Sequence, residues 1–234
     1  MFEIEKGLFS KTYKFTDINF AVASEDDKKS MLEKYYGILN SFDHNAITKL
    51  TINNRRIDED DFKQTLYIPK NNDGLDIYRD DYNKVVFDMA LRSNTTIQEK
   101  YITISIHQKT EDDAKRYFQR IGVDLNQQFA RLGSRCEELT LDERLKICYD
   151  FYNAGSVNKF MFNKQDLMRK GHSFKDIICP DSYTNGDDYF KIGKRYGRVL
   201  FIKEFGSTCD TGLISDLTDL DRDIMLSVDA EVVE

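Results

Sequence analysis

The sequence predicts an α+β fold, in which helices pack on a mixed, largely antiparallel β-sheet. Segments with apolar residues at helical spacing lie between short segments in which apolar and polar residues alternate. Several of the short segments are joined by tight turns, which favours antiparallel hairpins over a doubly wound parallel sheet. The 234-residue chain is 40% hydrophobic and 12% aromatic, so it can build a sizeable core.

Short β-favouring segments predict the strands of residues 1–152. Phe9–Phe20 is predicted to form a first strand or hairpin. In the segment Lys100–Gln108, Ile102, Ile104 and Ile106 alternate with polar residues, so one face of this strand should be buried. The other expected elements are strands at Ile47–Ile52 and Arg135–Leu139, one or two helical turns at Asp58–Leu66, and a polar loop at Pro69–Gly74.

Four helices are predicted in the same region from their caps and apolar stripes. Ser24, Thr110 and Thr140 are predicted N-caps, and Thr140 forms a capping box with Glu143. Gly133 should end the helix that Thr110 begins. The four stripes are Met31, Tyr35, Ile38 and Phe42; Tyr78, Tyr82, Val85 and Met89; Ala114, Phe118, Ile121, Leu125 and Phe129; and Leu141, Leu145, Cys148 and Tyr152.

A soft boundary is predicted at Asn153–Asn158, where Gly, Ser and Asn replace the periodic pattern. Residues 153–234 should then form a hairpin-helix-strand lobe, packed with the first lobe in one compact module. Its expected elements are a short helix near Lys164–Lys170, an extended segment at Phe174–Cys179, strands at Tyr189–Ile192 and Val199–Phe205 around the turn Gly193–Gly197, a helix with Leu213, Leu217 and Leu220, and a strand from Ile224 to Val232.

The last of these strands is the strongest strand signal of the chain, because apolar and polar residues alternate from Ile224 to Val232. Such a strand is expected inside a sheet, with its apolar face on the helix of Leu213–Leu220. The sequence stops shortly after it. We therefore expect this chain to be a piece of a longer protein.

Charge and composition favour a cytoplasmic protein. The 41 acidic and 34 basic side chains give a formal net charge of −7, which disfavours non-specific binding to nucleic acid. Acidic runs such as Glu25–Asp27 and Glu111–Asp113 open predicted helices, where they complement the helix dipole. The four cysteines have unrelated spacings, and the sequence has neither a signal peptide nor an apolar run of about 20 residues. These features are typical of a reduced protein that does not insert into a membrane.

The sequence carries no recognised catalytic, cofactor-binding or metal-binding motif. The phosphate-binding patterns G-x-x-x-x-G-K-[ST] and G-x-G-x-x-G are both absent. Three aspartates near residue 221 resemble the start of a calcium loop, but Ile224 and Ala230 stand where that loop needs glycine and glutamate. The histidines are too widely separated to suggest a zinc site: His44, His107 and His172.

Four basic residues around the predicted hairpin tip form the candidate contact site for a partner or an anion: Lys191, Lys194, Arg195 and Arg198. The segment Lys194–Phe201 also matches five of the seven specified positions of the RNP1 strand of RNA-binding domains. However, Arg198 replaces an aromatic residue that would stack on a base, and Arg195 replaces the first glycine. A nucleic-acid-binding module that uses this hairpin is therefore an alternative function, beside a solvated tip or a protein-docking corner.

Six segments carry a resemblance to a known family: Glu5–Phe20, Lys100–Thr103, Asp176–Ser182, Phe190–Gly193, Leu213–Leu220 and Ile224–Val232. In this order, over nearly the whole chain, they resemble the amino-terminal region of VirB-type conjugal-transfer ATPases. These are the motors of type IV secretion systems, in the form carried by conjugative elements of Gram-positive bacteria. The motifs are structural, and their order is what carries the resemblance.

The resemblance implies a non-catalytic docking and assembly domain. In this family the nucleotide-binding motifs lie in the carboxy-terminal half, so ATP and Mg²⁺ would belong to the parent protein and no catalytic residue carries over to this chain. The implied partners are membrane components of the transfer channel and other subunits of the same ATPase. The implied location is the cytoplasm, at the inner face of the cell membrane and through protein partners.

Overall fold

A computed structural model of the chain confirms the α+β class. It describes residues 1–20, 22–56, 67–92, 96–153, 160–163, 165, 171, 173–204, 206, 212–220 and 222–231. The predicted elements at Asp58–Leu66 and Lys164–Lys170, most of the predicted boundary at Asn153–Asn158, and His172 therefore lie outside the described residues.

Two antiparallel sheets contain the strands. In chain order the strands are β1 (Phe2–Glu5), β2 (Leu8–Phe15), β3 (Ala46–Arg56), β4 (Thr96–His107), β5 (Cys136–Glu138), β6 (Tyr183–Asn185), β7 (Phe190–Ile192), β8 (Arg195–Gly197) and β9 (Ile224–Ala230). The main sheet has the order β1-β2-β4-β3-β9, and β5 also pairs with β2. The small sheet has the order β6-β7-β8.

The described helices differ greatly in length, from five to 21 residues. They are α1 (Glu25–Leu39), α2 (Asp76–Arg92), α3 (Glu111–Arg131), α4 (Leu141–Tyr152), α5 (Phe174–Ile178) and α6 (Gly212–Thr218). The Oγ atoms of Ser24, Thr110 and Thr140 accept backbone N–H bonds from Asp27, Asp113 and Glu143. All three predicted N-caps are thus confirmed.

One face of the main sheet holds the largest apolar core. Helix α3 buries its whole predicted stripe here, and the side chains of Ile38 and Phe42 reach the same core from α1 and the loop after it. Strand β4 contributes Ile102, Ile104 and Ile106, all at most 2% exposed. Helix α3 ends before Gly133, whose φ of +82° is a conformation that favours glycine. The predicted period-two burial of β4 is confirmed.

Helix α4 lies on the opposite face of the sheet. Its Arg144 donates hydrogen bonds to the carbonyl oxygen and the hydroxyl of Ser10, which points away from the α3 core on β2. The buried polar residues Ser10 and Thr12 lie on this same face. The molecule is therefore layered, with α1 and α3 on one side of the sheet and α4 on the other.

The position of β9 corrects an expectation. We expected this strand inside a sheet, but in the described part of the chain it is an edge strand, paired with β3 alone. Its apolar face is also incompletely covered, and Val228 is 47% exposed. The alternating pattern predicted the strand correctly. Alternation shows only that one face of the strand is apolar and the other polar, so it fits an edge strand as well as a central one.

Two further expectations in the last third of the chain are wrong. Phe174–Cys179 was expected to be extended, whereas Phe174–Ile178 is helix α5, begun by a capping box between Ser173 and Asp176. The predicted second strand of the hairpin, Val199–Phe205, is also absent from residues 199–204. Strand β8 comes earlier, because Ile192 pairs with Arg195 and leaves only a two-residue turn.

Candidate functional site: an apolar groove with basic charges

The predicted basic hairpin residues are spread around the small sheet. Lys194 and Arg195 are exposed at the tip, where the turn is permitted by Gly193 with a φ of +58°. The ammonium of Lys191 lies 5.3 Å from the centroid of the Tyr196 ring, and Arg198 forms an ion pair with Asp188. The four charges therefore do not converge on one point.

An apolar groove begins between β1, α4 and α5. Its first part is a cavity of about 370 Å³. Apolar and sulphur-containing side chains form most of the lining, and the two charged residues among the described lining residues are Arg144 and Lys175. The predicted stripe of α4 contributes to this wall through Leu145, Cys148 and Tyr152.

The groove continues between the end of α4 and the small sheet. This second part is a cavity of about 680 Å³, lined by residues that include Phe151, Phe190 and Val199. The two cavities adjoin and are described together as one groove, because they share three lining residues: Tyr152, Cys179 and Pro180. The one charged residue in the described lining of the second part is Arg195.

The charge of the groove is therefore opposite to that of the chain. Arg144, Lys175 and Arg195 are all basic, and no acidic residue lines either part in the described ranges. The chain as a whole carries a net charge of −7. The sequence predicted Arg195 as a candidate contact but did not single out Arg144 or Lys175. Both lie on helices, where a single basic residue in the sequence looks like an ordinary surface charge.

Arg144 is held in place at the inner end of the groove. Its two terminal nitrogens donate to the Ser10 carbonyl at 2.9 Å and the Ser10 hydroxyl at 2.6 Å. The guanidinium carbon lies 4.5 Å from the centroid of the Phe2 ring, a cation–π contact. Burial lowers the pKa of Arg144 to about 10, so the group is still charged at neutral pH. None of the described carboxylates forms an ion pair with it.

Local capping interactions position the helices that form the groove. The capping box of Thr140 and Glu143 starts α4 one turn before Arg144. At the other end of α4, the Asn153 amide donates to the carbonyls of Tyr149 and Ile178, at 3.2 and 3.1 Å. This amide ties the end of α4 to the end of α5, and both helices line the groove.

Two cysteine thiols lie along the groove. Cys148 is partly buried, and burial raises the pKa of its thiol, an effect that the nearby Arg144 charge opposes. Cys179 is exposed at the point where the two parts of the groove meet. Both thiols can report on whether the groove is occupied.

Further apolar surface is exposed outside the groove. The run Val199–Ile202 continues from its second part, and these four side chains are 63–84% exposed. The predicted stripe of α2 is also exposed, including Tyr78 at 70% and Met89 at 66%. Hydrogen bonds between Asn83 and the backbone of Ile68 attach α2 to the loop before it.

Comparison with known proteins does not show a family for this chain. No protein-family model matches the sequence. Over an alignment of 131 positions that covers 53% of this chain, the sequence is 26% identical to the cytoplasmic arginine–tRNA ligase of Saccharomyces cerevisiae. This alignment spans 21% of the yeast protein, so the likeness does not show a shared family. Among the helices that the structure describes, none has an apolar run sufficient to cross a bilayer.

Proposed function

We propose that this chain is a docking and assembly module. The observation that carries the proposal is the run Val199–Ile202, four consecutive apolar side chains that are 63–84% exposed beside an apolar groove. Contiguous exposed apolar surface of this kind marks sites of protein–protein interaction. The exposed stripe of α2, which lies between β3 and β4 in the chain, offers a second such surface.

The module is proposed to belong to a conjugal-transfer ATPase of the VirB type. Support comes from the ordered resemblance of six segments over nearly the whole chain, from Glu5–Phe20 to Ile224–Val232. In this proposal the chain itself performs no catalysis, and ATP and Mg²⁺ bind to another part of the parent protein. The module then tethers the motor to membrane components of the transfer channel, at the inner face of the cell membrane, and helps to arrange its subunits.

Co-purification tests this proposal. The tagged chain is expressed with the membrane proteins encoded beside the parent gene, and we expect at least one of them to be retained. The double variant Leu200→Asp, Phe201→Asp should lose that partner, whereas Lys29→Gln, which removes an exposed charge on α1, should retain it. If no neighbouring membrane protein is retained by the wild-type chain, the proposal is wrong.

One observation favours nucleic acid as a second candidate partner. Tyr189 and Tyr196, which are 45% and 69% exposed, lie with ring centroids 5.5 Å apart beside Lys191. Exposed aromatic rings next to cations can stack on unpaired bases. Against this candidate, only Arg195–Gly197 of the RNP1-like segment lies in a strand, and Asp188 neutralises Arg198.

A titration with single-stranded RNA and DNA at several salt concentrations separates the two candidates. The docking proposal expects no binding at physiological salt. The nucleic-acid alternative expects an affinity that falls steeply as salt increases, because bound cations are released from the phosphates on association. In that case Tyr196→Ala should weaken binding, since it removes a stacking surface.

A further inference from the structure

We infer that the groove between β1, α4, α5 and the small sheet binds a segment of a partner protein that presents apolar side chains and an Asp or Glu, whose carboxylate pairs with Arg144. This inference rests on the proposed docking function and assigns that function a site and a ligand chemistry. It concerns the groove lined by Phe2, Leu145 and Phe174 at one end and by Phe190 and Val199 at the other.

The first argument is the unused bonding capacity of Arg144. A guanidinium has five N–H donors, and the two bonds to Ser10 leave three. In the described part of the chain these three have no hydrogen-bond acceptor, although Arg144 is partly buried. A guanidinium binds a carboxylate through two parallel N–H···O bonds, so a carboxylate that enters the groove would satisfy this site.

The second argument is the position of Phe2. Its ring lies against one face of the guanidinium, so an anion must approach along the edge of the planar group. The two bonds to Ser10 fix the orientation of the guanidinium, including the N–H groups that remain for a ligand. Less entropy is therefore lost when a ligand binds. The group is thus preorganised for a planar, two-oxygen acceptor.

The third argument concerns the walls, which select the rest of the ligand. Apart from Arg144, Lys175 and Arg195, the described lining is dominated by aromatic and aliphatic side chains. A nucleic acid would place polar sugars and phosphates against these walls, and their desolvation would oppose binding. Apolar side chains of a protein segment bury surface there instead.

The fourth argument is the extent of the groove. Its two adjoining parts, of about 370 and 680 Å³, are each as large as a ligand-binding pocket. They continue into the exposed run Val199–Ile202. An extended or helical protein segment matches a surface of this length better than a small molecule does, and additional basic residues along it suit further acidic side chains.

Selection from a displayed random peptide library against the immobilised chain tests the inference. We expect the enriched peptides to combine apolar residues with an Asp or Glu. A synthetic copy of an enriched peptide is then compared with its Asp→Asn or Glu→Gln version by calorimetry. The amide version should bind about ten-fold more weakly or worse, because it loses the charge-assisted pair.

Variants of the chain provide a matched comparison. The variant Arg144→Gln should bind the acidic peptide more weakly than the wild type does, by a similar factor. It should bind the amide peptide about as well as the wild type does. Lys29→Gln, which removes an exposed charge on α1 and outside the groove lining, should bind both peptides as the wild type does. Melting curves of both variants show whether each is folded.

A readout on the wild-type chain avoids any effect of mutation on folding. The bound acidic peptide should protect Cys179 and Cys148 from alkylation, as measured by mass spectrometry, while the buried Cys136 reacts slowly with or without peptide. A selection that yields no binder, binders without acidic residues, or a peptide that leaves both groove thiols unprotected overturns the inference. Failure to retain a membrane protein in co-purification affects the proposed function only, since the peptide assay does not involve that partner.

Discussion

Lys14 and Glu99 form an ion pair with an N···O distance of 2.7 Å on the face of the sheet that α4 covers. The Glu99 carboxylate also accepts hydrogen bonds from Arg55 at 3.0 Å and from the Tyr101 hydroxyl at 2.9 Å. Burial by itself would raise the pKa of Glu99, but the bonds from Lys14 and Arg55 outweigh it and hold that pKa at about 2. Three strands of the main sheet are thereby joined through one carboxylate.

Stability should therefore depend on the ionisation of Glu99. Its pKa is about 2 in the folded chain against an ordinary value of 4.5, so the carboxylate stabilises the fold above about pH 4.5. This contribution is lost progressively as the pH falls towards 2. Glu99→Gln should cost about 2 kcal/mol at pH 7, and the difference from the wild type should shrink at acid pH.

Urea unfolding at several pH values measures this difference. The control is Glu33→Gln, the same substitution at an exposed position on α1. An equal difference between wild type and Glu99→Gln at pH 7 and at pH 3 would contradict the assignment.

The core and the α2 stripe should respond differently to truncation. Phe118 is 1% exposed and packs against the sheet, so Phe118→Ala should cost about 3–5 kcal/mol through lost burial and a cavity. Tyr82 is 52% exposed, and Tyr82→Ala should change the free energy of unfolding by at most about 0.5 kcal/mol. Chemical denaturation measures both. A large loss for Tyr82→Ala would mean that α2 is packed in solution.

Removing the cap of α4 should destabilise the helix that carries Arg144. The Thr140 hydroxyl accepts the Glu143 N–H at 3.3 Å, and the Glu143 carboxylate accepts the Thr140 N–H at 2.7 Å. Thr140→Ala should therefore cost about 1 kcal/mol, measured by thermal unfolding. Glu143→Gln is the milder control, because its amide oxygen still accepts the backbone bond. Equal stability of Thr140→Ala and wild type would count against the capping box.

The hairpin tip should contribute hardly at all to stability. Lys194 and Arg195 are exposed, so replacing both with Glu should change the free energy of unfolding by at most about 0.5 kcal/mol. Differential scanning calorimetry of the double variant tests this. A fall of many degrees in the melting temperature would show that the tip packs against the rest of the molecule.

The chain should neither bind nor hydrolyse ATP. The reason is the absence of both glycine-rich phosphate-binding patterns from the sequence, since backbone N–H groups in such loops are what hold the phosphates. Calorimetry with ATP and Mg²⁺ is the measurement. Micromolar binding at a defined stoichiometry would overturn the expectation.

Local sequence patterns were sufficient for most helices and for the main strands. Thr110, the stripe that ends at Phe129, and Gly133 predict a helix whose start, buried face and end are all confirmed, because caps and stripes act within one element. Helix α5 was not predicted, although Ser173 and Asp176 occupy the positions of a capping box. The two-residue turn after β7 was missed because glycines at both 193 and 197 fit a longer turn.

Local pattern was enough to predict the α+β class, the periodic faces of α3 and β4, and the N-caps of α1, α3 and α4. The edge position of β9 beside β3, the exposed apolar stripe of α2 and the apolar groove next to Arg144 depend on tertiary packing instead. The physical reason is distance along the chain. Ser10, which orients Arg144, lies 134 positions before it, and β9 pairs with residues 170 or more positions away. Periodicity specifies which face of an element is apolar, whereas long-range pairing decides what that face meets.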